Sequence, residues 1–275
     1  MEQANTREDF ETRYEYLRPA QLIERRQACP LVIVPVGPLE YHGPHLPVGV
    51  DAINCTQVAH ACCRKLGRGV VLPTMMMGTE RERGPEMLEP LGFEPGTYVV
   101  GMDFPSRLWN SHYLPEEIFA IRLRAELQIL IGQGYRYILI ANGHGAQNQL
   151  EAINRLCVEL SNTTPAKLDF RLTLAKRVLA GNWAAGHADS VETSIIMHYD
   201  RGLVDLGALP PPEVPIHSRE FSIVDGVGFT PQYHADRVVR NDPRKSTPEE
   251  GRQLFEETLD ELVAAAEELM ASGKK

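Results

Sequence analysis

Short apolar runs alternate with longer amphipathic stretches along most of this chain. Leu31-Val32-Ile33-Val34 is a continuous run rich in β-branched residues and predicts a buried strand that breaks at Pro35, Gly37 and Pro38. Gly69 to Pro73, Tyr135 to Ala141 and Leu168 to Leu174 predict three further strands. Helical spacing fills the intervals. Arg18 to Arg26 has Pro19 near its first turn. Residues 52–66 repeat Ile53, Val58, Ala59, Cys62 and Leu66 on one face and stop at Gly67. Pro115 to Gln133 opens on Glu116 and Glu117, where the helix dipole favours acids. Leu150 to Leu160 and Val191 to Tyr199 follow. Thr247 to Ala271 closes the chain, with Thr247 as cap, Pro248 at the first helical position and Glu250 three residues on. Strands alternating with helices predict a single-domain α/β fold with three layers (α/β/α), a mostly parallel sheet and helices on both faces.

The rest of the chain lacks this periodicity. Residues 1–18 are polar with scattered Phe10, Tyr14, Tyr16 and Leu17, and predict an arm that packs on the 19–275 domain or on a neighbouring subunit. The stretch from Met75 to Glu117 is rich in Gly, Pro, Met and charge; a loop this long in a compact domain is usually functional. Leu179 to Asp189 reads as a Gly- and Ala-rich loop, Pro210 to Pro215 as a rigid linker, and Ile223 to Val238 is ambiguous.

Composition narrows the function. A formal net charge of −9 over 275 residues, with no basic stripe, argues against a nucleic-acid partner. The five cysteines form no paired framework and no CxxC, so they read as reduced thiols, with Cys62-Cys63 on a buried helix surface. The amino terminus is charged and has no apolar signal core, and no run approaches the ~18 apolar residues of a membrane span. The expectation is a soluble cytoplasmic protein acting on a small molecule, with neither nucleic acid nor membrane as partner.

The candidate chemistry gathers at strand ends. Glu40, His42, His45 and Asp51 fall within twelve residues after the first strand, where open α/β sheets place their sites. Taken singly, each would be a solvated loop residue; clustered among turn-forming Gly and Pro, they point to a site. Glu40 and His42, two apart in an extended loop, point the same way and can serve adjacent metal ions. Carboxylates with imidazole suit zinc, manganese or a similar borderline cation. His144 lies between two glycines after the third strand. Glu192 sits at a helix start, where an ordinary first-turn acid would also sit, and His187 could be a helix-entry residue. Glu80, Arg81, Glu82 and Arg83 face either a substrate or solvent; the fixed fork of Arg suits a carboxylate or a polyhydroxyl compound.

Gly37 to Asp51, GPLEYHGPHLPVGVD, resembles the first hallmark of the creatininase family of metal hydrolases. Asn142 to Gly145, NGHG, is similar to the second, and His187 to Ser194, HADSVETS, to the third. Asn241 to Leu262, NDPRKSTPEEGRQLFEETLDEL, is similar to the family's carboxyl-terminal helix. The resemblance runs from residue ~18 to the carboxyl end and implies a creatininase-like fold. It also implies two divalent ions, zinc or manganese with iron as a further candidate. Glu40, Asp51 and His144 would ligate one, and His42, Asp51 and Glu192 the other. It further implies a metal-bridged hydroxide as nucleophile, His187 as the catalytic acid/base, and a homo-oligomer, by family precedent a hexamer.

Two departures bear on the substrate. A Glu ligand of creatininases proper is replaced by Ala146, and Gln147 replaces the usual Asn. The family's Ser-x-Glu-His loop is replaced by Gly78 to Arg83, GTERER, and a longer stretch before Pro95-Gly96-Thr97. GTERER and the GMDFP of residues 101–105 look most like the branch that opens oxidised inositol rings, with Arg81, Arg83 and Asp103 as substrate-binding residues. The leading expectation is therefore ring-opening C–N or C–C hydrolysis of a small cyclic substrate such as a diketo-inositol. The alternatives are an amidohydrolase of creatinine-like lactams or formamides, and a non-catalytic metal- or ligand-binding protein of the same fold. A structural zinc protein is disfavoured, because Cys ligands and HExxH are lacking.

Overall fold

A computed structural model describes residues 10–179, 186–226 and 238–273. In chain order the helices are α1 (Pro19–Ala28), α2 (Val50–Leu66), α3 (Pro85–Leu88), α4 (Glu116–Gly132), α5 (Gln147–Thr163), α6 (Lys176–Leu179), α7 (Ser190–Tyr199), α8 (Ser218–Phe221) and α9 (Pro248–Ser272). The strands are β1 (Leu31–Val36), β2 (Val70–Val71), β3 (Tyr137–Asn142) and β4 (Lys167–Leu172), in the order β2-β1-β3-β4 with every pair parallel.

All six residues of β1 are buried because both faces of the sheet are covered. Val32, Val34, Val36, Ile138 and Ile140 meet Phe119, Leu123, Leu127 and Leu130 of α4 and Ala152, Ile153 and Leu156 of α5. Leu31, Ile33, Leu139 and Ala141 point the other way, onto Cys55, Val58, Ala59 and Cys62 of α2 and Leu262, Ala265 and Ala266 of α9. The period-2 alternation of the strands thus produces the three layers. All five cysteines are buried and free, Cys62 and Cys63 within α2. No helix among the described residues is long and apolar enough to cross a membrane.

The sequence pattern ends β1 at Pro35, yet the strand continues to Val36. On the side toward β2, Leu72 N–H donates to the Ile33 carbonyl, Met75 N–H to the Pro35 carbonyl, and Gly37 N–H to Met75. Pro35 faces that same side and has no N–H to donate, so the ladder to β2 lapses after Val71. The strand expected over 69–73 is accordingly two residues long. The next helix begins at Val50, two residues earlier than its apolar spacing suggests, so that Asp51 lies in the first turn of α2. Helix α5 likewise begins at Gln147 rather than Leu150.

The described part of the amino-terminal arm packs on this chain's own sheet edge. Leu17 joins the core beside α4, and Val71 N–H donates to the Thr12 carbonyl. The Met75–Glu117 stretch gathers Leu88, Leu91, Val99, Met102 and Phe104 into one apolar cluster with Val224. It is pinned by bridges between Gly78 and Tyr113 and between Glu82 and Val100. Of the ambiguous 223–238 stretch, Val224 pairs antiparallel with His187, and residues 227–237 lie outside the described residues. The expected loop at 179–189 is described except for residues 180–185.

Candidate metal centre

From the end of β1 the chain turns to α2 on one face of the sheet; from β3 it turns to α5 on the other. The crevice between these carboxyl ends is the switch point of the sheet, where α/β folds bind ligands. Two glycines let three segments close on it. A Cβ on Gly37 would lie 2.9 Å from the Ala52 nitrogen, and one on Gly143 would overlap the Asp51 carbonyl. The start of α2 is therefore wedged, backbone to backbone, between the loops that follow β1 and β3. The β3 loop is tied by its own polar groups: Asn142 Nδ2 donates to the His144 carbonyl, and Gln149 Nε2 donates to Asn142 Oδ1 at 2.7 Å.

Helix α7 supplies the remaining side chains. Asp189 caps it by accepting from Val191 N–H at 2.9 Å, and Ala188, at a φ of +54°, donates its N–H to Glu192 Oε2 at 2.6 Å. His187 is held by its bridge to Val224.

The structure brings Glu40, His42, Asp51, His144, His187 and Glu192 into one cluster. His144 Nδ1 lies 3.1 Å from both Glu40 Oε2 and Asp51 Oδ2. His42 Nε2 lies 3.5 Å from Asp51 Oδ1 and 3.6 Å from Glu192 Oε2. His187 Nδ1 lies 3.8 Å from Glu40 Oε1. Three overlapping sets place their donor atoms within 4.8 Å of one another: Glu40–Asp51–His144, His42–Asp51–Glu192 and Glu40–His42–His187. All are buried except Glu192, whose side chain is 13% exposed.

The protonation pattern follows from this crowding. Burial opposes ionisation of Glu40, but the imidazoles of His144, His187 and His42 outweigh it and hold its carboxyl well below the usual range. Glu192 is lowered in the same way, chiefly by His42. Burial also opposes charge on His42 and His144. Glu192 and Asp51 overcome it for His42, and Glu40 and Asp51 for His144, so both imidazoles are raised well above their ordinary value. His187 moves the other way, because burial and the neighbouring His42 disfavour its cation.

The donor set fits divalent cations. His42 Nε2 and Asp51 Oδ2 are buried, without a hydrogen-bond partner, and face the cluster. His42 Nδ1 lies 3.1 Å from the Glu40 carbonyl, which can only accept, so Nδ1 keeps its proton and Nε2 is the nitrogen whose lone pair is freed when the ring gives up a proton to a metal ion. Three carboxylates beside unprotonated imidazoles would balance most of the charge of two dications.

Other residues singled out in the sequence lie differently. His45 stands apart from the three sets, with Nε2 2.9 Å from Thr193 Oγ1; burial, with His42 nearby, pushes it down to about 4. Arg81 reaches Glu116 and Glu151 at the surface. Asp103 accepts from Ser111 N–H and Oγ, and so holds the 103–111 turn. Arg83 donates through Nη2 to Glu80 Oε1 at 2.8 Å. Glu80 Oε1 is in turn 3.8 Å from His144 Nε2, and Tyr113 Oη donates to Glu40 Oε1 at 2.5 Å. Sequence reasoning gave Tyr113 no site role and gave Glu80 only a place in a charged run facing either substrate or solvent. Both lie in the aperiodic stretch, and only its folding against the cluster brings them in.

A buried carboxylate–imidazole cluster at the switch point of a parallel α/β sheet is the centre of a metal-hydrolase type of fold. The chain belongs to the creatininase family, whose profile, described as creatinine amidohydrolase, matches residues 15–266. A manganese creatininase structure is 18% identical with a TM-score of 0.64, over 94% of this chain and 98% of that one. A zinc–zinc form of a creatininase variant gives the same identity and score over the same shares. At that identity the likeness establishes the fold. Among curated proteins, a 3-dehydro-scyllo-inosose hydrolase of Thermotoga maritima is 28% identical over 134 residues. The match covers 49% of this chain and 36% of the relative's length.

Proposed function

We propose that this protein is a two-metal hydrolase that opens a small ring at a carbonyl. The observation that carries the reading is the sharing of Asp51: Oδ2 faces His144 and Oδ1 faces His42, so one carboxylate belongs to two donor sets at once. Glu40, Asp51 and His144 would hold one ion, and His42, Asp51 and Glu192 the other, with zinc or manganese as the cations this donor set suits. Two divalent ions there would bring a water's pKa near neutrality and polarise a carbonyl.

The chain's own groups do the rest. His187 Nε2 lies 2.8 Å from the Tyr41 carbonyl and so carries the proton, which leaves the Nδ1 lone pair directed at the cluster. Held neutral by burial and by His42, Nδ1 is suited to take a proton and return it to the leaving atom. Burial of the whole cluster keeps bulk water away and strengthens each of these interactions.

The substrate we favour is a polyhydroxylated cyclic ketone of the oxidised-inositol type. The Thermotoga relative supports it, as does Arg83, whose guanidinium lies beside Glu80 on the wall next to His144. In this reading Arg83 contacts substrate, whereas Arg81 and Asp103 hold the surrounding loop. A homo-oligomer is part of the same proposal.

The test is metal content and turnover of the full chain, purified without chelator and reconstituted with zinc or manganese. About two ions per chain and ring opening of 3-dehydro-scyllo-inosose would support the reading. Turnover of creatinine alone would move it to the lactam branch. Folded protein that takes up no metal would remove it.

A further inference from the structure

The segment between β2 and α4 touches the cluster at two points. Gly78 pairs with Tyr113, and the next residue, Thr79, is locked onto α5: its N–H donates to Gln149 Oε1 at 2.9 Å, and its hydroxyl accepts from Asn148 Nδ2 at 3.2 Å. Thr79 thereby fixes the side chain that follows. Glu80, with its side chain only 5% exposed, places Oε1 3.8 Å from His144 Nε2, a buried atom with no hydrogen-bond partner. At the other end of the segment, Tyr113 Oη bonds Glu40 Oε1 and leaves Oε2 to face His144 Nδ1 at 3.1 Å. Gly101 closes the segment over both. At its φ of +58°, a Cβ would lie 2.6 Å from Tyr113 Oη and 2.8 Å from Glu80 Cγ.

We propose that Tyr113 and Glu80 are positioning residues for the Glu40–Asp51–His144 ion site, one fixing each outer ligand. The proposal rests on the two-ion reading. Tyr113 occupies one oxygen of Glu40, so that the carboxylate presents the other to the ion. The Glu80 carboxylate faces His144 Nε2 at 3.8 Å, beyond hydrogen-bond reach, and electrostatically favours the ring tautomer with its proton on that nitrogen. With the proton held there, the lone pair sits on Nδ1, the atom that faces Glu40 and Asp51, and the ring is fixed in its ligating tautomer. Glu80 itself is oriented by Arg83. The His42–Asp51–Glu192 set needs no such help, because main-chain groups hold its outer ligands: the Glu40 carbonyl holds His42 and the Ala188 N–H holds Glu192.

Zinc titration of metal-free full-length protein, in competition with a chromophoric chelator, tests this. In a His42→Ala background the remaining set is Glu40–Asp51–His144. There Tyr113→Phe and Glu80→Ala should each weaken the bound ion by ~10–100-fold, the usual effect of losing an outer-shell partner. In a His144→Ala background, which leaves the other set, the same substitutions should not change the affinity. With cobalt in place of zinc, Tyr113→Phe should alter the visible spectrum in the first background only, as Glu40 is freed to offer both oxygens. Tyr98→Phe, at an exposed tyrosine of the same segment, should change neither affinity. Equal losses in both backgrounds would reduce the segment to a general structural role and overturn the proposal; so would no loss in either. A parent protein that binds no zinc would instead remove the two-ion reading.

Discussion

Glu40 and His42 leave one loop two residues apart, yet they are held by opposite means. His42 is oriented by the carbonyl of Glu40 itself, and its partner Glu192 by the N–H of Ala188 four residues earlier. Glu40 is oriented by Tyr113, 73 residues away, and its partner His144 faces Glu80 across the same crevice. One half of the cluster is therefore set by local backbone, the other by side chains from a segment without regular structure. A backbone-held ligand keeps its geometry whatever surrounds it, whereas a ligand held by distant side chains can be retuned by changing them. The comparison predicts that the metal-binding strength of the two halves can be varied separately.

The largest expected effect would break the comparison by joining its halves. Asp51→Ala removes the carboxylate common to both sets, so metal content should fall from about two ions to almost none, with the fold retained because α2 still packs through Cys55, Val58 and Ala59. Elemental analysis with circular dichroism checks it; two ions retained would end the shared-ligand account. His187→Ala should come next. It removes a proton carrier, so kcat should drop by ~10²–10⁴-fold at unchanged metal content. A lost ion would instead assign His187 to the Glu40–His42–His187 set.

The same contrast explains what the sequence disclosed. Strands β1 and β3 were legible because burial on both faces leaves an unbroken apolar run, and Glu40, His42 and His144 because each follows such a run within a short loop. The extent of β1 was not, since Pro35 ends a strand by rule and is tolerated here only where its missing N–H faces a lapsed ladder. The placement of Asp51 inside α2 was also hidden, because Val50 and Asp51 precede the apolar repeat of that helix. Tyr113 carried no signal and Glu80 only that of a charged run, since an aperiodic stretch gives no register from which to infer what it folds against.

A smaller effect tests how the backbone half is built. Gly143→Ala would drive a Cβ into the Asp51 carbonyl, and the two loops can part only by shifting the start of α2. Overpacking of this kind costs about 1–3 kcal/mol, which a denaturant midpoint reads, and both ions should weaken together because Asp51 moves. Weakening of one ion alone would show that the halves tolerate a displaced Asp51 unequally.

The smallest expected effect is a dependence on pH. In the metal-free protein His42 and His144 are raised well above their ordinary value, mainly because Glu192, Glu40 and Asp51 outweigh the opposing effect of burial. A group whose folded pKa is raised stabilises the fold fully below its unfolded value and ceases to do so as pH rises through the folded value. The metal-free chain should therefore lose stability as the solution becomes alkaline. The metal-loaded chain should not, because ions replace the protons as partners of the carboxylates. Binding requires unprotonated imidazoles, so metal uptake near neutrality should release protons and grow tighter with rising pH. Calorimetric titration in buffers of different ionisation enthalpy counts those protons. Release in the His144→Ala background, where only His42 must give up its proton, should be smaller than in the parent. Equal release in both would mean that the two halves, though held differently, do not titrate separately.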